Sequence, residues 1–169
     1  MTHLDQLLDP KSIAIVGLSV DASKPGGRVL ASLRKVRYTG HIWGVHPRTP
    51  AVPGVAMFES LLSLPEAPDL VASAVPSTAV PGLIRDAGTV GAGAVVVFAG
   101  RFAEAGPSVS AAQREMSTIA TEHGVRILGP NSGGVNRPGS RLAVSFLTCL
   151  DRPADQIRPG PVGLVTQSG

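Results

Sequence analysis

Five short apolar runs rich in β-branched residues, at positions 13–16, 42–45, 70–75, 94–98 and 125–128, alternate along the chain with segments of helical spacing. None of the five shows the polar alternation of a strand with one wet face. Each therefore reads as a parallel strand covered on both sides. The intervening segments, 27–37, 58–64, 78–89 and 108–123, read as helices. The last carries Val109, Ala112, Met116, Ile119 and Ala120 at spacings of three and four, with Gly124 as its stop. Pro81 suits a first helical turn, with Ser77 or Thr78 as cap. Such alternation calls for right-handed crossovers and an α/β, Rossmann-like doubly wound parallel sheet.

At 169 residues one core is expected. Residues 1–150 read as that domain. Residues 151–161, polar and holding Pro153, Pro159 and Pro161, read as a linker. Residues 162–169 read as a strand running into a glycine-ended turn, the first strand of a truncated second domain.

Composition removes several classes of function. Net charge is +3, but the cations are scattered, and their densest cluster, Arg34-Lys35-Val36-Arg37, closes a predicted helix where cations favour the dipole. With 4% aromatic residues there is little to interleave with bases, so no nucleic-acid partner is expected. No apolar run approaches the roughly 20 residues of a membrane span, and no membrane partner is expected. Met1-Thr2-His3-Leu4-Asp5 has neither the basic region nor the apolar core of a signal peptide. The single cysteine, Cys149, forms no internal disulfide and fits a reducing, cytoplasmic setting. It has no base beside it in sequence, His123 suits a helix C-terminus, and no metal-ligand spacing or Ser–His–Asp order exists. No catalytic or metal-binding residue is assigned.

In doubly wound sheets ligands bind beyond the carboxyl ends of the strands. Here those ends read Gly17-Leu18-Ser19, His46-Pro47-Arg48, Val75-Pro76-Ser77, Ala99-Gly100-Arg101 and Gly129-Pro130-Asn131-Ser132. After Gly17, a loop through Ser19 and Ser23-Lys24-Pro25-Gly26-Gly27 leads into a helix N-terminus, where unpaired N–H groups and the dipole favour an anion. There is no strict G-x-G-x-x-G, and the turn is longer than a dinucleotide turn. It suits a bulkier phosphate chain. NAD enzymes place Asp or Glu at the end of the second strand. This chain has Arg48, which shifts the reading toward NADP or coenzyme A.

In order along the chain, these pieces resemble the N-terminal CoA-binding domain of NDP-forming (ADP-forming) acyl-CoA synthetases, relatives of the succinyl-CoA synthetase alpha subunit. The resemblance is carried by Leu8-Asp9-Pro10-Lys11-Ser12-Ile13-Ala14-Ile15-Val16-Gly17, Val45-His46-Pro47-Arg48, Ala74-Val75-Pro76-Ser77, Ala99-Gly100-Arg101-Phe102-Ala103-Glu104, Gly129-Pro130-Asn131-Ser132 and Val165-Thr166-Gln167-Ser168-Gly169. Leu18, Arg101 and Gly133 depart from the family's usual residues. The resemblance implies a CoA pyrophosphate at Gly17, Ser19, Ser23, Lys24, Gly26 and Gly27, and the CoA 3′-phosphate at Arg48. Pro76 and Ser77 are either a helix cap or the wall beside the adenine, and Phe98 is either core or a ligand contact. Gly100 admits the pantetheine arm. Asn131 either satisfies its own turn or shapes the place where the thiol approaches an acyl phosphate.

The implied parent reaction joins a carboxylic acid and CoA at the expense of a nucleoside triphosphate, reversibly. Its phosphohistidine and ATP-grasp domains would be partners, in the same or another chain. None of His3, His41, His46 or His123 matches the family's phosphorylated histidine, so the chain alone is not expected to catalyse; homo-oligomer formation stays open. Two alternatives stand beside this reading. One is the cofactor domain of an NADP-dependent oxidoreductase, the other a stand-alone regulatory CoA- or nucleotide-binding module.

Overall fold

The computed structural model describes residues 3–100 and 107–166. A short helix α1 (His3–Leu8) leads into β1 (Ser12–Val16), α2 (Pro25–Lys35), β2 (His41–Val45) and β3 (Ala56–Phe58). Then follow β4 (Leu70–Ser73), α3 (Val80–Thr89), β5 (Ala94–Val97), α4 (Pro107–Glu122) and β6 (Arg126–Leu128), and last a hairpin of β7 (Val135–Arg137) and β8 (Leu142–Val144). The first six strands form one sheet in the order β3-β2-β1-β4-β5-β6, with all neighbours parallel. The α/β, Rossmann-like fold expected from the alternation is the one observed.

The strand period of two divides the core into two layers. Ile13, Ile15, Leu70, Ala72, Ala94 and Val96 pack with Val29, Leu30 and Leu33 of α2 and with Val135, Leu142 and Val144 of the hairpin. Ala14, Val71, Val95 and Val97 pack on the other face with Val80, Leu83 and Ile84 of α3 and Met116 and Ile119 of α4. The chain leaves β1 toward the first face and β4 toward the second. The switch point therefore lies between β1 and β4, which are direct neighbours, with Val16 beside Ser73.

Several expectations need correction. No helix forms over 58–64: Met57 and Phe58 pair with β2, and only a single 3₁₀ turn follows at Leu61–Ser63. The edge of β2 offered backbone partners that the helical spacing of Phe58, Leu61 and Leu64 did not reveal. Neither Ser77 nor Thr78 caps α3. They lie in a 3₁₀ turn, Ser77–Ala79, and Ala79 occupies the cap position without a side-chain bond. Pro81 does fall in the first turn. Residues 162–166 have no strand pairing among the described residues, and Val162, Leu164 and Val165 are 86%, 84% and 101% exposed. The readings made on Arg101, Phe102, Ala103 and Glu104, and on Gln167, Ser168 and Gly169, lie outside the described residues. The hairpin and α1 had no counterpart in the sequence reading.

Candidate functional site

The backbone is tightly crowded at the switch point. Gly17 has φ +84°, a conformation side chains disfavour, and a Cβ there would lie 2.6 Å from the Ala74 carbonyl oxygen. Its N–H donates to Val45 O at 2.9 Å, which ties the turn after β1 to the end of β2. A Cβ on Gly26 would lie 2.4 Å from Gly17 O, and one on Gly27 would lie 2.1 Å from Asp21 O. The loop after β1 thus folds directly onto the first turn of α2. In that turn Pro25 has no N–H, and Gly26 and Gly27 lie too early in the helix for an intrahelical acceptor. Two backbone donors and the positive end of the helix dipole meet there.

The loop is held by a residue the sequence reading passed over. The Asp21 carboxylate accepts from Ser23 N–H at 2.9 Å and from Ser23 Oγ at 2.6 Å, while Asp21 N–H donates to Ser19 Oγ at 3.1 Å. Lys24 N–H closes on Asp21 O at 3.1 Å. The Ser23 hydroxyl and amide bonds are the main reason the Asp21 carboxyl is held below its ordinary value, with Lys24 adding a smaller pull. Ser19 and Ser23 therefore serve the loop's own geometry in this state. The signal was present as an aspartate with a hydroxyl residue two positions on, the pattern of an Asx turn.

The other expected residues follow the carboxyl ends of β2, β4, β5 and β6. Arg48 is exposed in the turn that follows β2. Pro76 is exposed and Ser77 half-buried at the start of the segment after β4. Phe98 is 7% exposed, its ring edge-on to Phe146 at 5.2 Å, so it sits in the floor beneath the rim rather than on it. Gly100 and Asn131 meet: a Cβ on Gly100 would lie 2.9 Å from Asn131 Oδ1, and Asn131 N–H donates to Ala99 O at 2.9 Å. Asn131 has φ +55°, which asparagine tolerates better than most residues. Two of the departures have local accommodation. Leu18 is fully buried and its side chain fills the space over Gly44, where a Cβ would meet it at 2.5 Å; the Leu147 side chain packs over Gly133 in the same way, at 2.8 Å.

A second feature lies at the opposite end of the sheet. A cleft of about 480 Å³ is lined by Asp9, Lys11, Tyr38, His41, Ser140 and Arg141, around the amino ends of β1 and β2. The Tyr38 hydroxyl donates to Pro10 O at 2.8 Å, and burial, with Asp69 and Asp9 nearby, pushes its pKa up. Among the described residues no three His, Cys, Asp or Glu side chains converge as metal ligands, and no helix is long and apolar enough to cross a membrane.

The sheet order, its switch point and the glycine cradle over it together define a Rossmann-like α/β domain. Residues 11–138 match the family described as CoA binding domain, and the chain belongs to that family. It is 33% identical over 168 residues to a trans-feruloyl-CoA synthase from an unknown prokaryotic organism, covering 99% of this chain and 24% of that protein. It is 30% identical over 166 residues to an ADP-forming acetate–CoA ligase of Archaeoglobus fulgidus, covering 98% and 24%. The solved structure of a Korarchaeum cryptofilum acetyl-coenzyme A synthetase in complex with phosphate and ADP superposes with a TM-score of 0.80 at 31% identity, over 85% of this chain and 30% of that one. The chain is thus homologous to the N-terminal part of ADP-forming acyl-CoA synthetases, and spans about a quarter of the length of these two curated relatives.

Proposed function

We propose that this chain binds coenzyme A at the carboxyl edge of its sheet, as the CoA-binding part of an ADP-forming acyl-CoA synthetase. The observation that carries the reading is the cradle itself. Gly17, Gly26 and Gly27 each have a backbone carbonyl within 2.6 Å of where a Cβ would stand. The two free N–H groups at the start of α2 suit the CoA pyrophosphate, with the Lys24 ammonium close by. Arg48, at the end of β2, suits the 3′-phosphate, and Pro76 and Ser77 suit the adenine side. Gly100 and Asn131 suit the pantetheine arm on its way to the thiol.

In this reading the chain holds and orients CoA, and the transfer chemistry belongs to partner domains. The acyl phosphate would form on an ATP-grasp and phosphohistidine apparatus, in the same or another chain. Residues 1–150 are the CoA domain, 151–161 the linker, and 162–169 the opening of the next unit, all within a cytoplasmic enzyme. A thermal-shift comparison of CoA, NADP and NAD tests the ligand class. Stabilisation by CoA above both dinucleotides is expected, and stabilisation by NADP alone would replace this reading with the oxidoreductase one. An exposed guanidinium meeting a phosphate monoester contributes about 1 kcal/mol, so CoA is expected to bind about fivefold more tightly than dephospho-CoA.

A further inference from the structure

We infer that His46 is the positioning residue that aims Arg48 at the ligand, and so sets the preference for a 3′-phosphorylated nucleotide over its unphosphorylated form. The inference rests on the CoA reading above and adds a residue to it. Three hydrogen bonds converge on His46. Its N–H donates to Phe58 O at 2.9 Å, which anchors it to the end of β3. Its carbonyl accepts from Thr49 N–H at 2.8 Å, closing a four-residue turn with Pro47 and Arg48 at the centre. Its ring Nδ1 accepts from Arg48 N–H at 3.1 Å.

The third bond is the informative one. An acceptor side chain that bonds the N–H two residues on is what Asn and Asp supply in Asx turns. Here an imidazole does it, which leaves the ring proton on Nε2. Arg48 itself is exposed, and the Nδ1 bond is made by its own backbone. Its Cα direction is therefore set by the turn, and the turn is set by His46. Without the Nδ1 acceptor the two backbone bonds still close the turn, but the Arg48 N–H at its centre loses the side chain that holds the Pro47–Arg48 peptide.

The test uses His46→Leu, His46→Asn and Arg48→Gln in this chain, with CoA and dephospho-CoA titrated calorimetrically and folding checked by thermal melting. Leucine removes the acceptor, whereas asparagine restores it at the same spacing. The expected result is a preference for CoA in the wild type that collapses toward unity in Arg48→Gln. It should fall at least threefold in His46→Leu with dephospho-CoA affinity unchanged, and stand at the wild-type level in His46→Asn. A His46→Leu protein that keeps the wild-type preference, or weakens both ligands alike, overturns the inference. So does a His46→Asn protein that behaves as His46→Leu does. Equal wild-type affinity for the two ligands would overturn the role of Arg48 in the proposed function and this inference with it. Wild-type preference combined with an unaffected His46→Leu overturns this inference alone.

Discussion

Gly27→Ala separates the anion cradle from the fold that carries it. Gly27 is buried in the first turn of α2, where a Cβ would lie 2.1 Å from Asp21 O, 2.7 Å from Asp21 C and 3.0 Å from Ser19 O. All three are backbone atoms, so relief requires the loop to lift off the helix. Alanine otherwise favours a helix over glycine by about 0.8–1 kcal/mol. Gly82, in α3, reports that propensity alone, because no atom lies within 4 Å of a Cβ there. Gly82→Ala should raise Tm by about 2–4 °C and leave ligand affinity unchanged. Gly27→Ala should lose that gain to the displaced loop, with Tm at or below the wild type. Lifting the loop also removes the setting of two charge-assisted N–H bonds to phosphate, about 1.5 kcal/mol each. The sum, about 3 kcal/mol, is a loss of roughly 150-fold in Kd. Calorimetric titration with CoA beside thermal melting reads both quantities. A Gly27→Ala protein that gains stability as Gly82→Ala does, and binds CoA within threefold of the wild type, would refute the reasoning.

The buried Ser73 hydroxyl, 0% exposed, has no hydrogen-bond partner among the described residues. Ser73→Ala should therefore gain about 1 kcal/mol and raise Tm by about 2–4 °C, and a lowered Tm would show that the hydroxyl is satisfied. Arg28 Nη2 reaches both Asp151 carboxylate oxygens, at 2.8 and 3.1 Å, while its Nε donates to Phe146 O at 2.8 Å. This ties the segment after the hairpin to α2. A double-mutant cycle on Arg28 and Asp151 in urea should give a coupling of about 0.5–1 kcal/mol for this partly exposed pair, and zero coupling would contradict the tie. Asp21 is a carboxyl held below its ordinary 3.8, so its hold on the loop is complete above that value and is lost as pH falls through the lowered one. The Ser23 amide resonance should stay flat from pH 7 to about 4 and move only below it, and a midpoint above 4 would contradict the bonding described.

Most of the sheet was legible because its strands are apolar on both faces and bounded by small residues. Runs such as 13–16 and 94–98 have few other readings. The misreadings occur where backbone pairing, not side-chain pattern, decides the outcome. Ala56–Phe58 is a strand because β2 presents a free edge, and the three-residue strands of the hairpin are too short to carry a period of their own. The site divides in the same way. The glycine-bearing turn at Gly17, Gly26 and Gly27 was legible as a strand-to-helix connection, and a backbone carbonyl within 2.6 Å of each missing Cβ is the physical reason glycine stands there. Asp21 and His46 were not singled out, because each acts locally by accepting from a backbone N–H two residues away, at Asp21 with the Ser23 hydroxyl beside it. The Asx pattern at Asp21 was there to be read, whereas the imidazole bond of His46 becomes visible only once the turn has closed.

The most direct test of the central claim is where CoA perturbs the amide spectrum of isotope-labelled protein. Two places compete: the carboxyl-edge cradle and the cleft around Lys11, Tyr38 and Arg141 at the other end of the sheet. Saturable shifts are predicted at Gly17, Ser19, Ser23, Gly26, Gly27, Arg48, Ser77, Gly100 and Asn131, with Lys11, Tyr38 and Arg141 unmoved. Shifts confined to the opposite cleft, or none at saturating CoA, would contradict the account.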